Sequence, residues 1–341
     1  MRGLECLETK GVGRVASVDV VIPCYQYGRF LRGCVSSVLS QGGPDLRVLV
    51  IDNASTDDSV EVARQLAAED PRVEVVVHRR NLGPHASFNE GIDWARSDYF
   101  TVLCADDLLA PGCLRRALSI MERRPDVGFV YGRALWLRPQ DPMPDLDPSS
   151  GDESWRIVRG EALVRRFCRT GYNHVNEPVV VRTATQKLAG YYRPELSHTD
   201  DFEMWMRLAT YSTAAETNAY QGFLRIHNSN RSAFVRQSGA ANLSQQERYG
   251  MLYHWHDEAA FESFFSHEGK LLPDAARLYD LAKRSIAERA YWASIACLWR
   301  GQTEKSRELW DFTIDRRSSM LPPLGYLLRR GDLTEAIARA L

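Results

Sequence analysis

Five short runs rich in β-branched residues, Val18–Ile22, Val48–Ile51, Val73–Val77, Phe100–Leu103 and Val127–Tyr131, are separated by segments of helical pattern. This alternation constrains the fold more than any other feature of the chain. Apolar runs of four or five residues bounded by turn signals read as buried strands, and 3.6-residue stripes between them read as helices, so the text up to about residue 135 is that of parallel βαβ units. In Phe30–Ser40, residues Phe30, Leu31, Cys34, Val35, Val38 and Leu39 form one apolar stripe. A second helix follows the cap signal Ser55-Thr56-Asp57-Asp58 and buries Val60, Ala63 and Leu66. Right-handed crossovers align the strand ends on one side, where an open α/β sheet gathers its ligands.

The pattern changes after that. Residues 138–154 carry Pro139, Pro142, Pro144 and Pro148 among acidic residues without periodicity, the text of a loop or lid. A mixed segment from Trp155 to about Ser232 includes an expected strand, Pro178–Arg182, and a helix beginning near Asp201. Beyond it, Ala275–Ala290, Tyr291–Leu298 and Glu304–Ile314, with Gly301 as a turn, predict helical hairpins packed beside the first unit. A length of 341 residues with 44% apolar content supports two structural units. Lys plus Arg (43) nearly balance Asp plus Glu (44), so no general field attracts nucleic acid or an anionic membrane. The seven cysteines are scattered and never spaced Cys-x-x-Cys, which argues against a disulfide framework or a structural zinc site. No stretch approaches the ~20 apolar residues of a membrane span, and residues 1–17 hold no signal-peptide core, so the expected compartment is the cytoplasm.

Two carboxylate pairs carry chemistry. Asp106-Asp107 ends the apolar run Tyr99–Cys104, shortly before Pro111 opens a helix. Two adjacent carboxylates at a strand end hold a hard divalent cation against a phosphate, although Asp also suits a turn and helix cap. Asp200-Asp201 begins a helix that buries Phe202, Trp205, Met206 and Leu208, so both carboxylates stand at its amino end, where one can act as a base. Strand-end Asp52 can accept an N–H donor of a ligand, and its residue type also suits the cap of the following helix.

The order of motifs resembles the family 2 glycosyltransferases. Val20-Val21-Ile22-Pro23-Cys24-Tyr25, Val50-Ile51-Asp52-Asn53, Asn81-Leu82-Gly83, Asn89-Glu90-Gly91, Ala105-Asp106-Asp107, Gly190-Tyr191-Tyr192, Asp200-Asp201-Phe202-Glu203-Met204-Trp205 and Leu224-Arg225-Ile226-His227 carry the resemblance, which covers residues 19 to about 232. It implies a GT-A fold: an α/β, Rossmann-like, mostly parallel sheet flanked by helices, here over residues 17–235, with a helical extension over 240–341. The nucleotide-sugar-binding half is then 17–135 and the acceptor-side half 155–235. The donor is a nucleoside diphosphate sugar, UDP or dTDP type favoured through Asp52. Pro23 and Tyr25 shape the base pocket, Asn81 lies near the nucleoside and Asp106 faces ribose or sugar. Asp107 and His227 hold Mn²⁺ or Mg²⁺, and Arg225 with His227 closes over the diphosphate. Asp201, beside Asp200, is the general base of an inverting transfer to a hydroxyl acceptor.

The chain departs from the fullest motif, Asp-x-Asp-Asp, because Cys104 stands in place of the first Asp; this soft ligand reads as packing. A sugar nucleotidyltransferase would need a Gly-rich phosphate loop that Ile22–Gly28 lacks, and a decayed, non-catalytic scaffold would have lost Asp52, Asp107 and Asp201. The helical extension reads as a buttress or as a homodimer surface.

Overall fold

The computed structural model describes residues 15–144, 154–196, 198–227, 230 and 254–317; most of the proline-rich 138–154 segment lies outside them. All five expected strands form: β1 (Ser17–Cys24), β2 (Asp45–Asp52), β3 (Val73–Val77), β4 (Tyr99–Val102) and β6 (Val127–Leu137). Between them lie α1 (Gly28–Leu39), α2 (Ser59–Glu69), α3 (Pro84–Trp94) and α4 (Cys113–Arg123), with a two-residue strand, β5 (Leu108–Leu109), before α4. The acceptor-side half supplies β7 (Trp155–Val158), α5 (Gly160–Thr170), β8 (Asn176–Arg182), α6 (Thr183–Ala189), α7 (Asp200–Tyr211) and β9 (Thr213–Arg225). The extension contributes α8 (His254–Ser266), a 3-10 turn (Glu268–Leu271), α9 (Ala275–Trp299) and α10 (Thr303–Arg316).

The sheet order is β3-β2-β1-β4-β8-β6-β9-β5, with β7 paired to β9. Strands β1 to β4 are mutually parallel, β8 runs against both β4 and β6, and β9 is parallel to β6. The result is a mixed, mostly parallel α/β sheet. The last βαβ strand of the sequence pattern is therefore separated from β4 by β8, a strand from much later in the chain. Register keeps the business ends level: Cys24 pairs with Asp52, and Asp52 with Val77.

Strand alternation distributes the core over two faces. Val18, Val20 and Ile22 pack with Leu31, Val35, Ala63 and Met121 on one side, whereas Val21, Leu49, Ile51 and Phe100 belong to the core that holds Phe167 and Phe202. The helical extension shares that second core: Phe202 of α7 meets Phe167 of α5 and Phe261 of α8 edge to face, with ring centres 5.2 and 5.1 Å apart. The two stretches expected over Ala275–Leu298 form one continuous helix, α9, because no breaker interrupts them; the turn falls at Gly301, whose φ of +76° favours glycine.

Candidate active site

Strand β2 delivers Asp52 fully buried to the carboxyl edge of the sheet. Its Oδ1 accepts the Ser55 N–H at 2.9 Å, so it does organise the turn into α2. Its Oδ2 is equally buried and takes no hydrogen bond among the described residues. An orphaned acceptor of this kind costs about 1–3 kcal/mol unless a ligand satisfies it. Around it, the loop after β1 is laced to the loop after β2: Gln26 N–H donates to Ser55 Oγ at 2.9 Å, and Tyr27 N–H to Ser59 Oγ at 3.1 Å. Pro23 is half-buried and Tyr25 stands 45% exposed at the rim. Asn81 is exposed, and its Oδ1 accepts from Asn53 Nδ2 (3.0 Å) and Gly83 N–H (2.8 Å), which shapes its own loop.

The loop bearing Asp106-Asp107 is fastened by β5, whose Leu108 and Leu109 pair with Phe223 and Gly222 of β9. That pairing carries the end of β9 to the carboxylates. Asp107 Oδ1 accepts the Arg225 N–H at 2.9 Å, and Asp106 Oδ2 receives His227 Nε2 at 3.0 Å and Asn230 Nδ2 at 2.8 Å. His227 stacks on Phe30 of α1, with ring centres 4.7 Å apart, and the Arg225 guanidinium carbon lies 5.2 Å from the centre of the same ring. Burial, then the neighbouring Asp106 charge, pushes the Asp107 carboxyl well above the usual range. A bound cation would reverse that penalty.

The two residues expected to hold the cation, Asp107 and His227, have separate partners. His227 is engaged with Asp106. The side chains with ligand spacing around Asp107 are Cys104 and Glu177, the three ligand atoms lying within 4.8 Å of one another. Glu177, at the start of β8, was missed; its only sequence signal is an acidic residue preceding the apolar run Pro178–Val181. Cys104 retains a little surface as a residue, yet its thiol is enclosed, and burial followed by Glu177 and Asp106 pushes it well up. These donors, two carboxylates and a thiol beside a third carboxylate, fit a divalent cation.

At the amino end of α7 the two aspartates have separate surroundings. Asp200 is buried, with Oδ2 3.0 Å from His85 Nε2 of α3, an ion-pair distance without hydrogen-bond alignment. Asp201 is half-buried; its Oδ1 accepts the Phe202 N–H at 2.7 Å and its Oδ2 accepts from Asn173 Nδ2 at 3.2 Å. Asn89 of α3 clasps the Tyr192 peptide through both amide atoms, at 2.8 and 3.0 Å. The Tyr192 phenol is pushed well up by burial and by the charges of Glu177, Asp200 and Asp201.

Three comparisons bear on this arrangement. The description Glycosyl transferase family 2 matches residues 19–178. The uncharacterized glycosyltransferase YibD of Escherichia coli (strain K12) is 28% identical over 240 residues, 68% of this chain and 67% of that protein. Other curated relatives are met over less, 35% and 13% of their lengths. TarS residues 1–349 of S. aureus, solved in complex with UDP-GlcNAc, superposes with a TM-score of 0.62 at 15% identity, over 95% of this chain and 90% of that one. The mannosyltransferase PcManGT of Pyrobaculum calidifontis, in complex with GDP-Man and Mn²⁺, gives a TM-score of 0.50 at 16% identity over 91% of each chain.

Proposed function

We propose, for a chain that belongs to glycosyl transferase family 2 through residues 19–178, that it transfers a sugar from a nucleoside diphosphate to an acceptor hydroxyl with inversion. The observation that carries this reading is that Asp52 and Asp106-Asp107 follow the carboxyl ends of parallel strands β2 and β4, which flank β1, with Asp107 bonded to the Arg225 amide at the end of β9. The relatives bearing nucleotide sugars support the donor class: TarS is seen with UDP-GlcNAc and PcManGT with GDP-Man and Mn²⁺.

Each residue has a task that follows from its surroundings. Asp52 Oδ2 accepts the N3–H that uracil and thymine share, between walls formed by Pro23 and Tyr25. Asp106, oriented by His227 and Asn230, presents its remaining lone pairs toward ribose or sugar. Asp107 holds Mn²⁺ or Mg²⁺, which when bound neutralises charge on the departing diphosphate. Arg225, stacked over Phe30, adds fixed positive charge at the same end of the site. Asp201 removes the acceptor hydroxyl proton as that oxygen attacks the anomeric carbon. Of the α7 pair it is the more exposed, while Asp200 is buried against His85 and orients the helix end.

The donor half is then 17–135 and the acceptor half 155–235. Among the described residues no helix is long and apolar enough to cross a membrane, and the six described cysteines are free. The test is donor hydrolysis: the chain is incubated with Mn²⁺ and a panel of nucleotide sugars, and release of nucleoside diphosphate is measured. Turnover of a UDP or dTDP sugar is expected; turnover of none would overturn the reading. A guanine donor is the second reading, favoured by the PcManGT likeness, since the guanine N1–H offers Asp52 a similar edge.

A further inference from the structure

The Asp-x-Asp-Asp form of the motif places a hard carboxylate where this chain has Cys104, and the structure shows where that sulfur goes. Cys104 Sγ, an Asp107 carboxylate oxygen and a Glu177 carboxylate oxygen lie within 4.8 Å of one another, a span that one ion can bridge. Asp107 is only 9% exposed, and with Oδ1 committed to the Arg225 amide its Oδ2 takes no hydrogen bond among the described residues. A carboxylate on a nine-tenths buried residue, one of its oxygens within ligand spacing of a thiol and a second carboxylate, is an anionic position that a cation satisfies.

The three donors come from two parts of the chain. Cys104 and Asp107 follow β4, whereas Glu177 is the second residue of β8, which pairs against β4 through Tyr99 with Arg182 and Phe100 with Val181. Gly222 of β9 lets that corner close: a Cβ there would meet Pro178 Cδ at 2.4 Å.

We propose that Cys104, Asp107 and Glu177 together form the divalent-cation site, with the thiol making this site favour borderline and soft ions such as Zn²⁺ or Cd²⁺ over Mg²⁺. This rests on the reading that a cation sits at Asp107, and extends it to ligand set and ion preference. Sulfur ligands select softer ions, whereas Mg²⁺ requires hard oxygen donors in near-ideal octahedral geometry. On binding, the S–H bond of Cys104 breaks, a sulfur–metal bond forms and the proton leaves to solvent, so metal and proton exchange one for one at the sulfur. His227 stays on Asp106 and is no ligand.

The test uses the full chain and metal alone, without substrate. Cd²⁺ is titrated in while the ultraviolet thiolate-to-cadmium charge-transfer band is recorded, and Mn²⁺, Zn²⁺ and Mg²⁺ are titrated by calorimetry. The wild type is expected to give the band, to lose it in Cys104→Ser and to keep it in Cys34→Ser. Glu177→Gln is expected to weaken Mn²⁺ binding roughly tenfold or more, the scale on which even indirect supporters of a metal act. Cys104→Asp restores the fuller motif and is expected to keep Mn²⁺, gain Mg²⁺ and lose the cadmium band. Thermal melting of each variant separates lost ligands from lost fold. An unchanged band in Cys104→Ser, or wild-type Mn²⁺ affinity in Glu177→Gln, overturns the proposal while a loss in Asp107→Asn leaves the broader metal reading standing. If the wild type binds none of the four ions, with or without uridine diphosphate, both fall.

Discussion

At Asp52 one carboxylate oxygen is spent on the Ser55 amide and the other is buried without a donor among the described residues, so the two halves of a single side chain answer to different masters, the fold and the ligand. Asp52→Asn can keep the turn by presenting its carbonyl to Ser55, but it then offers an NH₂ where the base offers N3–H. Uridine diphosphate affinity is expected to fall about 10- to 100-fold, the ~1.5–3 kcal/mol scale of a hydrogen bond to a charged group. Cytidine diphosphate, whose N3 is an acceptor, should lose less or gain. Equal affinities for both nucleotides before and after the change, by calorimetry, would reduce Asp52 to a turn residue. At Asp201 the expectation is kinetic: Asp201→Asn should cut transfer ~10²- to 10⁴-fold with donor affinity nearly unchanged. Should Asp200→Asn prove inactive and Asp201→Asn fully active, the base is the buried aspartate beside His85.

Among elements, the smallest does the most positioning. Strand β5 has two residues, yet its pairing with β9 carries Arg225 to Asp107 and, two residues on, His227 to Asp106. Gly222 is the hinge of this arrangement, since an added Cβ would sit 2.4 Å from Pro178 Cδ and 3.1 Å from the Leu108 carbonyl oxygen. Neither neighbour is the free end of a flexible side chain. Gly222→Ala is therefore expected to cost about 1–3 kcal/mol by overpacking and to weaken nucleotide and metal binding by loosening the β5–β9 corner. Urea unfolding and nucleotide titration measure the two effects; a variant as stable and as tight as the wild type would show that the corner tolerates displacement.

Across the whole molecule, the helical extension is joined to the first unit by a shared core and by Arg289, which also holds an ion pair inside the extension. Asp257 of α8 lies 3.0 Å from Arg289 of α9, which also donates to the Gly171 carbonyl at the end of α5. Burial pushes the Asp257 carboxyl up to about 6, from an ordinary value of 3.8, with Arg289 opposing the rise. Below pH 3.8 the group is protonated folded or unfolded; between 3.8 and about 6 the folded chain holds the proton and the unfolded chain does not, so this contribution to stability is lost as pH rises through that window. The loss amounts to ~3 kcal/mol at about 1.4 kcal/mol per unit. Asp257→Asn carries no titrating proton, so its stability relative to the wild type is expected to improve by up to that amount between pH 4 and pH 7, as ~3 kcal/mol. A pH-independent difference in urea unfolding would refute the shift.

What the sequence by itself determined was local. The five strands, the helices α1 and α2, the placing of Asp52, Asp106 and Asp107 at strand ends and of Asp200-Asp201 at a helix start all follow from periodicity and turn chemistry, which act over a few residues. The short strands β5 and β7 and the long β9 escaped, because their pairing partners lie far along the chain and propensity in strands depends on that context. Only the tertiary structure decided that β8 enters antiparallel between β4 and β6, and so set Glu177 beside Cys104 and Asp107. Likewise, the pairing of His227 with Asp106, 121 residues apart, is invisible to any local pattern. The division has one physical reason: backbone geometry and hydrophobic period are written residue by residue, whereas which side chains meet is settled when distant strands pair and bury their faces together.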